Sequence, residues 1–358
     1  LKTLLAQRKR VFLVADPYLA EHGKTAYVTD CVAGECHIFS HVQPDPDLAV
    51  VVRGVAALEA FRPDAVVALG GGSAIDAAKA MVYFAARERD LGDCPFIAVP
   101  TTSGTGSEVS RFAVITDGEK GIKYPLVDER LLPDYAVLDA ALTLTVPPAV
   151  TADTGMDVLT HAVEAFTSTA ANDFSDGAAE KAIRLAGRWL LTAYRSPRDC
   201  AARQGMHNAS CLAGIAFSGA GLGLCHSMAH ALGGRFHLPH GRANAILLPY
   251  VVGFNGGYPA QTTPTALRYA ALAALLDRQS SSPRQSTLNL IRAIRQLAGQ
   301  LGIPPSLGAA GVGAADLEAA LPALVAAALA DPCTATNPVP CTPEALTALF
   351  RSALAGKC

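Results

Sequence analysis

Residues 65–80 read AVVALGGGSAIDAAKA, and the fold class turns on this stretch. Ala65–Leu69 is a short apolar run of the kind buried inside a parallel sheet. It enters Gly70-Gly71-Gly72-Ser73 directly, and a helical pattern continues through Ala86. Strand, glycine turn and helix in that order make part of an alternating α/β unit. Three glycines let a backbone approach a phosphate closely, and N–H groups at a helix start favour an anion. Read alone, the same loop serves equally as a plain connector. Ser73 and Asp76, three apart, have the spacing of a capping box. The loop is neither G-x-G-x-x-G nor a Walker loop, which would need Gly-Lys-Ser/Thr.

The same alternation extends on both sides. Upstream, Val11–Asp16 is an apolar run ending in an acid, and His37–Ser40 is a further short strand candidate. Asp47–Phe61 has helical periodicity after the turn Pro44–Pro46. Downstream come Phe96–Val99, the loop Pro100–Glu108 (PTTSGTGSE) and Ala136–Leu138. A parallel sheet is expected over this half. After Pro148 strand-like runs give way to long Ala- and Leu-rich helical ones, with Gln279–Gln285 and Ala330–Thr342 as expected loops. We therefore expect an α/β domain at 1–150 and an all-helical domain at 151–358.

Composition narrows the function class. The 358 residues carry a formal charge of -2, and no basic patch points to nucleic acid. No apolar run reaches the roughly 20 residues of a membrane span, and no signal-peptide pattern opens the chain. Nine cysteines without a C-x-x-C pair fit reduced thiols in a cytoplasm.

The residues 151–240 carry the densest chemistry. Asp157 and His161 are spaced i, i+4, which puts both on one helix face. His226, His230, His237 and His240 crowd one short segment, four of the chain's nine histidines. An Asp-x3-His pair alone is usually a helix-surface pair. Beside the second cluster, Asp157, His161, His226 and His240 read as one metal site. Three imidazoles and a carboxylate suit Fe(II) or Zn(II) rather than Ca or Mg. In the first half, the loop Thr101–Glu108 also follows a strand, and two such loops at one sheet edge favour a nucleotide crevice. Asp16 sits where an acid holds ribose hydroxyls and repels a 2′-phosphate, although a strand-end acid is also a common helix cap.

With these segments in hand, the chain resembles the iron-dependent (group III) alcohol dehydrogenase family. The likeness rests on GGGSAIDAAKA (Gly70–Ala80), PTTSGTGSEV (Pro100–Val109), Lys123, TGMDVLTHAVEAF (Thr154–Phe166), AGLGLCHSMAHALGG (Ala220–Gly234) and HLPHGRANAILLP (His237–Pro249). Within the family it is most similar to 1-propanol dehydrogenases of propanediol-utilising bacterial microcompartments. GIKYPL (Gly121–Leu126), MHNASCLAGIAFS (Met206–Ser218) and AALADPCTATNP (Ala327–Pro338) carry that closer likeness. Ethanol dehydrogenases of ethanolamine-type pathways are the near alternative.

The resemblance implies a dehydroquinate synthase-like fold, with a nucleotide-binding α/β domain, an all-helical metal domain and a cleft between them. It implies metal ligation by Asp157, His161, His226 and His240, and a proton-relaying role for His230 near the nicotinamide. Cofactor contacts are implied at Asp16, Gly71, Gly72, Ser73, Thr101, Thr102, Ser110, Lys123 and Leu142, and a substrate-pocket wall at Phe217. Ser110 often appears as Thr in the family, and Asp45 stands where many members have Asn. His237 is expected to face solvent, and Trp189 and Tyr194 to pack between helices. The implied cofactors are NAD(H) and Fe(II), with Zn(II) the alternative. The implied substrates are short primary alcohols and their aldehydes, propanal and 1-propanol foremost. The implied setting is a homo-oligomer in the cytoplasm, packaged in a microcompartment with shell or enzyme partners. The family usually has a further N-terminal strand, so an upstream segment is expected. A related-fold lyase would use a different carboxylate and a basic pocket, which the apolar segment around Phe217 opposes. An inactive structural partner is opposed by the intact ligand and cofactor set.

Overall fold

In a computed structural model, residues 1–88, 90–118, 122–258 and 262–356 are described. The chain divides into two compact units, Leu1–Thr143 and Leu144–Cys358.

The first unit is built on five parallel strands: β1 (Arg10–Ala15), β2 (Glu35–Phe39), β3 (Ala65–Gly70), β4 (Phe96–Pro100) and β7 (Tyr135–Ala136). Their order is β2-β1-β3-β4-β7. β3 and β4 are buried along their whole length, and β1 is buried from Val11 to Ala15, as the continuous apolar runs predict. One face of the sheet packs with the helices Leu48–Phe61 and Gly72–Glu88 around Phe12, Val66 and Met81. The other packs around Leu13, Val67 and Ile97. The strand order reverses between β1 and β3, so the ends of these two strands flank a switch point. In open parallel sheets, ligands lie beyond the carboxyl ends of the strands at such a point.

Two expectations are corrected here. The parallel sheet is joined by an antiparallel hairpin that the strand pattern did not predict: β5 (Phe112–Asp117) with β6 (Ile122–Val127). The capping box is also not formed. The helix already starts at Gly72, so Ser73 lies within its first turn. Asp76 turns instead to the segment after β4, accepting from Ser107 Oγ at 2.5 Å and from the Val114 N–H at 3.0 Å.

Among the described residues the second unit holds α-helices and one short 3-10 turn, Pro332–Thr336, and no strand. Helix Pro148–Thr167 runs through its centre and is buried without a break from Gly155 to Thr167. Asp173–Arg195 and Cys200–Ala220 pack beside it. A Cβ on Gly205 would overlap the Trp189 ring, so Trp189 serves helix packing. The expected loop at 279–285 is shorter than predicted, because Ser282 caps a helix that begins at Pro283. No single described helix is long and apolar enough to cross a membrane. The described cysteines are all free.

Candidate active site

Three helices of the second unit build one polar cluster. Asp157 and His161 project from Pro148–Thr167, His226 from Leu224–Phe236, and His240 opens His240–Gly256. One ligand atom from each of the four lies within 4.8 Å of the others. Asp157, His161 and His226 are buried, while the His240 side chain is 41% exposed. Close helix approach makes this convergence: a Cβ on Gly241 would overlap the carbonyl of Asp153. Glycine there lets His240 reach to 3.5 Å from Asp157 Oδ1.

The hydrogen bonds around the cluster are selective. His226 donates from Nδ1 to Glu164 Oε2 at 2.5 Å. Its Nε2 is buried, has no hydrogen-bond partner, and lies 3.7 Å from Asp157 Oδ1. Asn244 Nδ2 donates to Asp157 Oδ1 at 2.8 Å and approaches His240 Nε2 at 3.1 Å. Burial opposes the charge of Asp157, yet His161, His240 and His226 hold its carboxyl well below the usual carboxylate range. Burial likewise opposes an imidazolium at His226, but Asp157 and Glu164 raise its pKa to about 9. A buried ring nitrogen without a partner, facing a carboxylate among converging imidazoles, is a donor set that fits a borderline divalent ion.

Glu164 was absent from the expected site. Asp157, His161 and Glu164 follow i, i+4, i+7, one helical stripe, and that spacing was the available signal. Its partner His226 is 62 residues away, which no local pattern reveals.

The remaining second-unit residues lie around the four. The Phe217 ring centre is 4.7 Å from that of His161. His230 stacks on His240 at 5.2 Å, and its Nδ1 pairs with Asp331 Oδ2 at 2.8 Å. Burial works against the charge of Asp331, and the bond to His230 lowers its pKa to about 2. Asp331 also accepts from the Cys333 N–H at 2.9 Å. Asp331 was read only as part of a loop. His237 caps the helix Leu224–Phe236 in the left-handed region and is exposed.

In the first unit the expected nucleotide residues gather at the carboxyl ends of β1, β3 and β4. Asp16 follows β1 and caps the helix Pro17–Glu21 through the Leu19 N–H at 2.8 Å. Its other oxygen faces Gly70, where an added Cβ would lie 3.4 Å away. The two loops touch. A Cβ on Gly71 would meet Thr102 Oγ1 at 3.3 Å, and one on Gly72 would meet Thr105 Cγ2 at 2.6 Å. Thr101 is buried and donates its N–H to Gly70 O at 2.9 Å. Ser73 lies in the first turn of its helix, where backbone N–H groups lack helical partners. Leu142 is partly buried and packs against the apolar cluster to which Leu13 and Val99 belong.

Ser110 is placed differently from a free contact residue. It is buried, and its hydroxyl and carbonyl both accept from Lys79 Nζ, at 3.2 and 2.7 Å. Asp45 has a positive φ of 55°, which Asn tolerates as readily as Asp. The Lys123 side chain lies outside the described residues.

Comparison with known proteins finds the same family in both units. The family model for iron-containing alcohol dehydrogenase matches residues 1–140, and that for the C-terminal part of the Fe-containing alcohol dehydrogenase family matches 151–354. The chain is 47% identical to the 1-propanol dehydrogenase PduQ of Citrobacter freundii, covering 92% of this chain and 89% of that protein. It is 46% identical to the PduQ of Salmonella typhimurium, covering 97% and 93%. Among solved structures, a 1,3-propanediol oxidoreductase superposes with a TM-score of 0.89 at 36% identity, over 98% of this chain and 94% of that one.

Proposed function

The chain belongs to the iron-containing alcohol dehydrogenase family, and on that premise we propose that it interconverts a short primary alcohol and its aldehyde with NAD(H), propanal and 1-propanol foremost. The observation that carries the reading is the convergence of Asp157, His161, His226 and His240 on one point, with His226 Nε2 buried and unpartnered beside it. These four would hold Fe(II), with Zn(II) the alternative. The first unit, through Asp16, Gly71, Gly72, Ser73, Thr101 and Thr102, would hold the dinucleotide, with Ser110, Lys123 and Leu142 as further contacts. When bound, the metal supplies Lewis acidity at the substrate oxygen and the nicotinamide supplies or takes the hydride.

The chain's own residues do the rest. Phe217, beside His161, gives the substrate's carbon chain an apolar wall and helps exclude water. His230 passes the proton. Asp331 engages its Nδ1, which leaves Nε2 to take up or release one. Asp16 favours NADH by opposing the charge of a 2′-phosphate. Each buried methylene gains about 0.8 kcal/mol, close to fourfold per carbon until the wall is reached. The similarity to PduQ proteins supports propanal as substrate. The motif resemblance supports a homo-oligomer in the cytoplasm, packaged in a microcompartment beside the reaction that makes the aldehyde.

The test is anaerobic NADH oxidation by Fe(II)-loaded protein with acetaldehyde, propanal, butanal and longer aldehydes. Propanal should serve at least as well as acetaldehyde, longer chains should fall away, and Phe217→Ala should move the optimum to longer chains. A loaded protein that oxidises NADH with none of these aldehydes contradicts the reading.

A further inference from the structure

The geometry assigns Glu164 a positioning role. It selects the tautomer of His226 and anchors the helix that carries it, so that Nε2 is held ready as a metal donor. This rests on the metal reading above and deepens it.

The Glu164 carboxylate is 5% exposed and makes two short bonds to consecutive residues of one helix start. Oε1 accepts from the Cys225 N–H at 2.6 Å, and Oε2 accepts from His226 Nδ1 at 2.5 Å. The first bond replaces a missing cap. The helix Leu224–Phe236 starts after Gly223, which has no side chain to cap it. Its first N–H groups would be orphaned in a buried place. Cys225 is satisfied by Glu164, and the Leu224 N–H by Asn337 Oδ1 at 3.2 Å.

The second bond decides the ring's chemistry. A carboxylate only accepts, so Nδ1 carries a proton, and when the ring gives up its second proton to bind a metal the lone pair is on Nε2. That lone pair is on the atom that lies 3.7 Å from Asp157 and has no partner. Carboxylates that take up the second nitrogen of a ligating histidine fix its orientation and raise its basicity.

Gly223 supplies an independent handle on the same contact. A Cβ there would come within 2.8 Å of Glu164 Oε1 and 3.2 Å of Asn337 Oδ1. Both are polar groups locked in hydrogen bonds. Gly223 is therefore the residue that leaves room for the carboxylate, and Gly223→Ala should displace Glu164 without removing any polar group.

The experiment measures the affinity of the chelator-stripped full chain for Zn(II), used as a redox-inert probe, with the melting of each metal-free protein as the fold control. Glu164→Gln keeps shape and an acceptor for Cys225, but its amide can donate to Nδ1 and so select the wrong tautomer. It should weaken Zn(II) binding by about 10- to 100-fold, with a metal-free fold like wild type. Gly223→Ala should weaken binding in the same direction, and it carries the test if Glu164→Gln does not fold. The inference is overturned if wild type binds Zn(II), His226→Ala loses it, and Glu164→Gln or a folded Gly223→Ala binds as tightly as wild type. If His226→Ala binds as tightly as wild type, the metal reading itself fails and takes this inference with it.

Discussion

Each unit buries a cluster of ionisable groups, and the two clusters differ in what is left over. In the first unit Lys79 is fully buried on the helix Gly72–Glu88 and spends its donors inside the protein. Nζ bonds Ser110 O and Phe112 O at 2.7 Å each, and Ser110 Oγ at 3.2 Å. Asp76 is likewise engaged by Ser107 and Val114. In the second unit Asp157, His161, His226 and His240 converge, yet His226 Nε2 has no partner. A buried polar group normally finds a hydrogen bond. Where it does, as at Lys79, it ties the segment after β4 to its helix. Where a ring nitrogen among converging imidazoles has no hydrogen-bond partner, as at His226, the group fits the metal proposed above. Burial is common to both clusters, and the unspent atom separates them.

The largest effect that tests this contrast comes from His226→Ala. It should lower aldehyde reduction by about a thousandfold or more, because a metal's stabilisation of developing charge amounts to several kcal/mol. Bound metal should fall with it, and the metal-free protein should also lose stability, because buried Glu164 loses its partner. Lys79→Met should affect stability alone. Removing the cation beside Asp76 and Glu108 should lower the unfolding free energy by about 3 kcal/mol in a denaturant titration, with metal affinity unchanged. Equal metal loss in both variants would erase the distinction.

A smaller effect appears in pH. Burial raises the Glu108 pKa from 4.5 to about 7. Between those values the folded chain keeps a proton that the unfolded chain has released, so this group's contribution to stability falls as pH rises. The unfolding free energy of wild type minus that of Glu108→Gln should decline over that window, by up to about 1.4 kcal/mol per pH unit. A flat difference would show that Glu108 is not held in its acid form. The smallest effect is expected at Asp16. Asp16→Asn keeps the cap on Leu19 and should narrow the preference for NADH over NADPH by about tenfold, or roughly 1.4 kcal/mol. A wild-type preference for NADPH would contradict that placement.

The sequence was legible where a property is local. Val66–Leu69 and Phe96–Val99 are apolar throughout because both faces of their strands are covered, so the parallel sheet could be read directly. Asp157 and His161 share a helix face by spacing alone. The hairpin β5–β6 escaped because it has one wet side. Val114, Tyr124 and Val127 are exposed and Asp117 is buried, so burial along the hairpin does not follow the apolar residues. Lys79, Glu164 and Asp331 escaped for another reason. Each sits in an ordinary helical or loop context, and its meaning comes from a partner 31, 62 or 101 residues away. Ser73 and Asp76 show the converse error: their spacing fits a local box, but a tertiary partner, Ser107, takes the carboxylate.

The most direct measurement is an anaerobic Fe(II) titration of the chelator-stripped chain, following bound metal and NADH-dependent propanal reduction in the same samples. The account predicts that activity rises from zero in proportion to bound metal and saturates at one ion per chain. Full activity in rigorously metal-free protein, or metal bound at one equivalent with no gain in activity, would contradict it.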